Sequence, residues 1–309
     1  MTTERHPAAL DRRLVRRAFE RAASTCDAAA VLQREVGARM AERLGIIKLT
    51  PGAILDAGCG TGEALGELRT RYPAAQIFGL DLAWNMTLAA RRRTTPDLAG
   101  ERSLLARLLG ARAAATVPTP RIVCGDITQL PLKAGCVDLV WSNLALQWVD
   151  APPQAFAEFH RVLNVGGLLS FTTFGPDTLR ELRAAFAAVD AATHVNRFVD
   201  MHDLGDMLVE TGFADPVMDM EMMTLTYADA TALMRELKAL GAHNVTASRP
   251  RGMMGRQRWH RMQDALDAFR REGRLPASFE VIYGHAWKPA PRVVPDGRAI
   301  VRFQAHRPR

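Results

Sequence analysis

The residue pattern predicts an α/β fold, a parallel sheet with helices against both of its faces. Short apolar runs recur at 53–56, 76–80, 121–125, 137–142 and 168–173. Stretches of helical periodicity lie between them at about 62–71, 84–93 and 152–162. Strands that alternate with helices in this way pair in parallel and bury both sheet faces. The first run also leads into the glycine turn Asp56-Ala57-Gly58-Cys59-Gly60-Thr61-Gly62, the strand–turn–helix unit that opens a nucleotide-type pocket.

From the N-terminus, residues 12–44 have the spacing of an amphipathic helix, with Leu14, Phe19, Val31, Leu32, Val36 and Met40 as apolar anchors. Residues 1–50 thus form a helical segment ahead of the sheet. Residues 94–120 read as an insertion with a short helix at 100–113 between proline-bearing loops. Asn164-Val165-Gly166-Gly167 is a helix-to-strand turn before the fifth strand. A helix at 176–190 starts with Pro176 in its first turn, and one at 200–212 stops at Gly212. Strand 217–226 carries Met218, Met220, Met222 and Met223, a stripe expected to pack into the core. Helices at 228–241 and 253–271 follow, then a last strand at 279–287 and a loose tail at 289–309, rich in Pro and Arg.

The glycine spacing argues against a dinucleotide. The pyrophosphate fingerprint continued from Gly58 needs glycine at 63, where Glu63 stands. A ligand without phosphate and with a cationic centre fits better, and S-adenosylmethionine is one: adenosine, a sulfonium and a zwitterionic tail. Asp81 ends the second strand, placed to accept both ribose hydroxyl hydrogens or to cap the helix near Trp84; coupled to the glycine turn, the ribose role is favoured. Asp126 and Ile127 follow the third strand, as a partner for the adenine amine and a wall for its ring. Asn143 and Leu144 end the fourth strand, and strand C-termini face the crevice in open parallel sheets.

Composition excludes other classes. Apolar residues make up 48% and charged residues 24% of the chain, ordinary globular values. No apolar stretch is long enough for a bilayer. The N-terminus has no apolar signal core, and Glu4, Asp11 and Glu20 argue against a transit peptide, so a cytoplasmic location is expected. Cys26, Cys59, Cys124 and Cys136 show no metal spacing and are expected as reduced thiols. His160, His194, His202 and His285 show none either, so no metal is expected. The net charge of +7 admits nucleic acid as a partner, but no basic run interleaves with aromatics, so neither nucleic acid nor a membrane is expected. The densest basic stretch, Arg249, Arg251, Arg256, Arg258 and Arg261, is either a solvated face or a dock for an acidic protein.

The order DAGCGTG, GLDL, GDITQLPL, DLVWSNLALQWV resembles class I S-adenosylmethionine-dependent methyltransferases. The segments SNLALQWV (142–149), FTTFGPDTLREL (171–182), HVNRF (194–198), ALMRELKALGA (232–242) and PASFEVIYGHAW (276–287) resemble the malonyl-[acyl-carrier protein] O-methyltransferases of biotin synthesis, from roughly residue 14 to 288. The resemblance implies a Rossmann-like sheet of seven strands with the last antiparallel. It implies a methyltransferase domain at 51–288, with helical cap insertions at about 175–215 and 228–275. It implies a cofactor wall of Gln33, Asp56, Gly58, Cys59, Gly60, Gly62, Asp81, Leu82, Met86, Asp126, Ile127, Asn143 and Leu144. One departure stands out: the family usually has tyrosine where this chain has Cys26, and a thiol cannot supply a phenol hydroxyl at the same reach.

The implied reaction moves a methyl group from S-adenosylmethionine to the free carboxylate of malonyl-carrier protein, or of malonyl-CoA, giving the methyl ester that starts pimeloyl synthesis. A carboxylate is ionised at neutral pH, so no general base is needed, and none stands on strand 137–142. Arg197 is the first candidate to orient the acceptor, since guanidinium grips carboxylate through two bonds; a surface pair with Asp200 or Asp203 is the other reading. Cys26, Gln147 and Trp148 are further positioning candidates, with core packing as the alternative for Trp148. Two other functions stay open: a related assembly factor or protein-arginine hydroxylase, and an RNA methyltransferase.

Overall fold

The computed structural model describes residues 9–95, 118–250, 252 and 254–291 and holds one seven-stranded sheet. Its strands are β1 (Ala53–Ala57), β2 (Gln76–Asp81), β3 (Arg121–Cys124), β4 (Val137–Ser142), β5 (Leu163–Phe174), β6 (Ala214–Tyr227) and β7 (Leu275–Trp287). The order is β3-β2-β1-β4-β5-β7-β6. The first five pair in parallel, whereas β7 runs antiparallel to both β5 and β6. The apolar runs of β1 and β4 take the centre, where both faces are covered. Strand order reverses between β1 and β4, and the crevice of such a sheet opens at their C-terminal ends.

The helices are α1 (Arg12–Ala22), α2 (Cys26–Ala29), α3 (Val31–Ile46), α4 (Glu63–Arg71), α5 (Trp84–Thr94), α6 (Pro152–Val162), α7 (Arg180–Ala187), α8 (Met201–Glu210), α9 (Ala230–Ala239) and α10 (Arg256–Asp267). One face of the sheet shares a core with α3, α4, α7, α9 and α10 through Leu32, Leu65, Leu182, Leu233 and Met262. The other packs on α6 and α8 through Phe156, Phe159, Leu204 and Leu208. Local sequence sets several starts. Asp11, Asp200 and Asp229 accept from backbone N–H groups of the first turns of α1, α8 and α9, the usual acidic cap.

Several expected boundaries move. The single helix over 12–44 is three helices. The chain turns at 23–25, where the Thr25 hydroxyl lies 2.9 Å from the Ala239 carbonyl, and Ala30 leaves helical geometry with ψ +39°. Val31 is consequently exposed, while Leu32, Val36 and Met40 are buried. Residues 164–167 belong to β5 as an irregularity rather than a turn ahead of it. Gly166 donates to Lys288 O and Lys288 donates to Gly167 O, so pairing with the end of β7 continues through them. The helix expected at 176–190 begins only at Arg180, because Leu179 is left-handed (φ +55°), and Pro176 stands outside it. The methionine stripe splits. Met218 and Met223 pack against the two cores, but Met220 and Met222 are exposed on the sheet's edge strand. The helix expected at 100–113 and the tail from 292 lie outside the described residues.

At the β5–β7 pairing, Phe171 faces Gly284. A Cβ at 284 would lie 2.4 Å from the Phe171 ring, so the ring occupies the space a side chain would take. Gly284→Ala is therefore expected to destabilise the protein by about 1–3 kcal/mol, seen as a lower urea midpoint at unchanged slope.

Candidate functional site

The C-terminal ends of β1, β2 and β4 open into a cavity of about 550 Å³. The glycine turn forms its floor. Gly58, Gly60 and Gly62 all have positive φ, a conformation that only glycine adopts freely. Gly60 faces open space, with no atom within 4 Å of where its Cβ would be, so the main chain is bare to a ligand there. Gly62, expected on the cavity, is not part of its lining. It caps α4 and touches Ala90 of α5, so its smallness serves helix packing. The other expected cofactor residues, Gln33, Asp56, Gly58, Cys59, Gly60, Asp81, Leu82, Met86, Asp126, Ile127, Asn143 and Leu144, all line the cavity.

The electrostatics centre on two carboxylates. Asp56 is buried, and its Oδ2 has no hydrogen-bond partner among the described residues. Burial, and then the neighbouring Asp81, pushes its carboxyl up to about 8. Asp81 is also raised by burial, to about 6, against the pull of two backbone donors. These are Gly60 N at 3.0 Å and Ala83 N at 2.8 Å. Asp81 thus ties the glycine turn to the start of α5, but it does not cap the first turn of α5. Glu20 does that, accepting from Trp84 N and Asn85 N at 2.8 Å each.

Three buried polar atoms of this cavity lack partners among the described residues: Asp56 Oδ2, Gln33 Oε1 and Trp141 Nε1. Buried polar groups are paired in the great majority of cases, so two acceptors and one donor on one cavity mark a place for a polar ligand. An amino-acid tail fits that set, with its ammonium for the acceptors and its carboxylate for the indole N–H.

Other expected residues are already engaged. Asp126 accepts from Thr128 N and Oγ1 at 2.7 Å each, and its Oδ2 lies 2.5 Å from Arg12 Nε; an adenine amine would share it with Arg12. Asn143 donates to Gln33 O at 3.0 Å and accepts from Thr172 Oγ1 at 2.7 Å, binding α3 to β5. Leu144 is left-handed (φ +49°). Its N–H donates to Thr172 Oγ1 at 2.9 Å, and its carbonyl accepts from Gln147 Nε2 at 2.7 Å. Trp148 meets the Phe19 ring edge to face at 5.1 Å. Cys26 lies on the cavity beside Met86, and burial pushes its thiol up to about 11, so it is neutral at physiological pH.

Arg197 is the one positioning candidate away from this cavity; it lines a second, adjoining one. The surface pair considered for it is absent among the described residues. Asp200 instead holds His202, whose Nδ1 lies 2.9 Å from its Oδ1. Sequence reading missed the roof. Leu10 N donates to Asp150 Oδ1 at 2.8 Å, Asp11 N to Val245 O at 2.8 Å and Ala247 N to Ala9 O at 2.9 Å. These bonds lay residues 9–11 across the crevice. They join segments more than a hundred residues apart, so no local pattern announces them. Trp141 was missed because an indole in an apolar run reads as core.

The methyltransferase domain profile matches residues 55–171. The malonyl-[acyl-carrier protein] O-methyltransferase of Laribacter hongkongensis is 56% identical, over 96% of this chain and 97% of that protein. The namesake proteins of Gallionella capsiferriformans and Nitrosospira multiformis are each 52% identical, over 95% and 92% of this chain and 96% and 91% of their own length. Among solved structures, the YcgJ protein of Bacillus subtilis superposes with a TM-score of 0.54 at 14% identity, over 82% of this chain and 98% of that one. A likeness at that identity shows the class I methyltransferase fold alone.

The Asp56 shift carries a sign. The folded chain holds a proton there up to about pH 8, whereas an unfolded aspartate releases it near about pH 4. Stability from this group is full below about pH 4 and falls as pH rises through that window. Urea midpoints at pH 5 and pH 8 are expected to show the fall in the native protein, and Asp56→Asn is expected to shrink it.

Proposed function

The chain belongs to the malonyl-[acyl-carrier protein] O-methyltransferase family, and from that premise we propose that it methylates the free carboxylate of malonyl-carrier protein with S-adenosylmethionine as donor. The single observation that carries the donor assignment is the buried Asp56 carboxyl with the half-buried Asp81 carboxyl next to it, beside the bare turn at Gly60. They call for a cation.

S-adenosylmethionine, when bound, supplies a methyl group already activated on a sulfonium sulfur. In the proposed arrangement Asp56 and Gln33 accept from its ammonium, Asp81 from its ribose and Asp126 from its adenine amine, with Ile127, Leu82 and Met86 as apolar walls. Cys59, Gly58 and Gly60 form the floor. The malonyl carboxylate arrives ionised, so the chain's task is alignment and exclusion of water rather than proton transfer. Residues 9–22, laid across the cavity, do the excluding, and removal of water strengthens every electrostatic contact beneath them. Asn143 and Leu144 hold the end of β4 rigid through Thr172 and Gln147. Residues 51–288 form the catalytic domain in this reading, with residues 12–46 and the helices at 180–210 and 230–267 as its covering layers. The acidic partner is a carrier protein, and the net charge of +7 favours its approach. No helix among the described residues is long and apolar enough to cross a membrane.

Incubation with methyl-labelled S-adenosylmethionine and malonyl-carrier protein is expected to place label in a base-labile ester, with Cys26 or with Cys26→Tyr. Label in RNA or in protein side chains, and none in the malonyl group, would overturn the proposal. Asp81→Asn should weaken donor binding about tenfold, the size of a lost charge-assisted hydrogen bond, in a calorimetric titration. Because binding a cation favours ionised Asp56, the same titration near pH 7 should release a proton, read by comparing buffers of different ionisation enthalpy.

A further inference from the structure

Beside the first cavity lies a second one of about 590 Å³. The two share a wall of six residues: Leu10, Arg12, Gln147, Val149, Asp150 and Phe174. Their charges are of opposite sign. Seven acidic side chains, Asp56 among them, and two guanidiniums line the first cavity, an environment that favours a cation and repels an anion. The second is lined by one carboxylate, Asp150, and two guanidiniums, Arg12 and Arg197. Asp150 already accepts from Leu10 N, and Arg12 is committed to Asp126 at 2.5 Å. Arg197 makes no ion pair among the described residues, so its guanidinium is the uncommitted charge of this cavity.

The backbone that carries Arg197 is held on both sides. Asn196 is buried, accepting from Val245 N at 3.3 Å and donating to His243 O at 3.4 Å. Phe198 rests edge-on against Phe174 with ring centres 5.8 Å apart, and Phe174 belongs to the shared wall. Two residues earlier, His194 stacks on Phe186 at 4.0 Å and meets Asp190 Oδ1 at 2.8 Å. An exposed cation on a clamped loop is preorganised for an anionic ligand, and the remaining lining, Phe174, Phe198, Val199 and Leu204, suits a short apolar chain. Its volume is that of a small-molecule site.

We infer that the second cavity is the acceptor chamber, and that Arg197 binds the free carboxylate of a short dicarboxylic acyl thioester there. This rests on the methyltransferase reading above and adds where the acceptor sits. Transfer then takes place where the two cavities meet, beside Gln147 and Phe174. One carboxylate oxygen forms a bond to the methyl carbon while the carbon–sulfur bond breaks. The bonding pair stays on sulfur, the carboxylate becomes a methyl ester, and no proton moves. Arg197 selects for the free acid, because an acetyl thioester or the esterified product offers the guanidinium no charge.

The test compares native protein, Arg197→Met and Arg197→Lys. In Arg197→Met the KM for malonyl-carrier protein should rise about tenfold or more, the loss of one charge-assisted contact, with the donor Kd within about twofold of native. Arg197→Lys should fall between, since an ammonium keeps the charge but not the fork. Native protein should be inhibited better by malonyl-pantetheine than by acetyl-pantetheine, and Arg197→Met should lose that preference. An unchanged KM and a retained preference would overturn the chamber assignment while leaving the methyltransferase reading intact. So would loss of donor binding in Arg197→Met, which would move Arg197 to the first cavity. Native protein that binds the donor but gives malonyl no label would overturn the methyltransferase reading itself, and the chamber with it.

Discussion

The site depends on two carboxyl groups crowded at the mouth of the sheet with no cationic partner for Asp56 among the described residues. Asp56 and Asp81 end adjacent parallel strands, so their carboxyls are forced together at the mouth of the sheet. Burial raises both, and Asp81 further raises the cost of ionising Asp56. Backbone donors from Gly60 and Ala83 relieve Asp81 in part; Asp56 receives none. A fold can hold such a pair only where the surrounding sheet over-determines it. Ile54, Leu55 and Leu80 are fully or almost fully buried around it. The tension is resolved by protonation or by a cation, so the ligand that suits the site is written in its electrostatics before any contact is drawn.

A second constraint is the roof. Residues 9–11 are fastened by backbone bonds to 245–247 and by Asp150, and α1 is fastened by Glu20 to the first turn of α5. Thr61 of the glycine turn reaches up to Asp27 at 2.6 Å. Three separate stretches of chain thus converge over one turn. The roof contributes walls to both cavities through Leu10 and Arg12. Its fastenings are hydrogen bonds, the Arg12–Asp126 ion pair and the buried side chains of Val15, Ala18 and Ala22.

Much of this was legible in the residues. Strand positions β1 to β5 follow from apolar runs, and α4 to α6 from periodicity, because both signals are local. That the turn, Asp81 and Asp126 line one cavity was legible because each sits at a strand end, and strand ends in a parallel sheet share one edge. The failures have equally physical causes. Residues 12–44 carry helical spacing through two breaks, one at 23–25 where Thr25 bonds the Ala239 carbonyl and one at Ala30. Leu179 adopts a left-handed conformation that its side chain does not advertise, where its N–H bonds Ser278 O at 2.6 Å. Gly62 looked like its two sister glycines, yet its neighbour is a helix.

The sequence by itself determined the sheet, the class of donor and the family, because periodicity, glycine spacing and motif order are short-range properties. Tertiary structure alone decided that Asp56 finds no partner among the described residues, that residues 9–11 lie over the crevice, and that Arg197 lines a second cavity. Each of these depends on groups brought together from distant parts of the chain, and the free energy of such contacts is set by burial and by neighbours that no local window of residues contains.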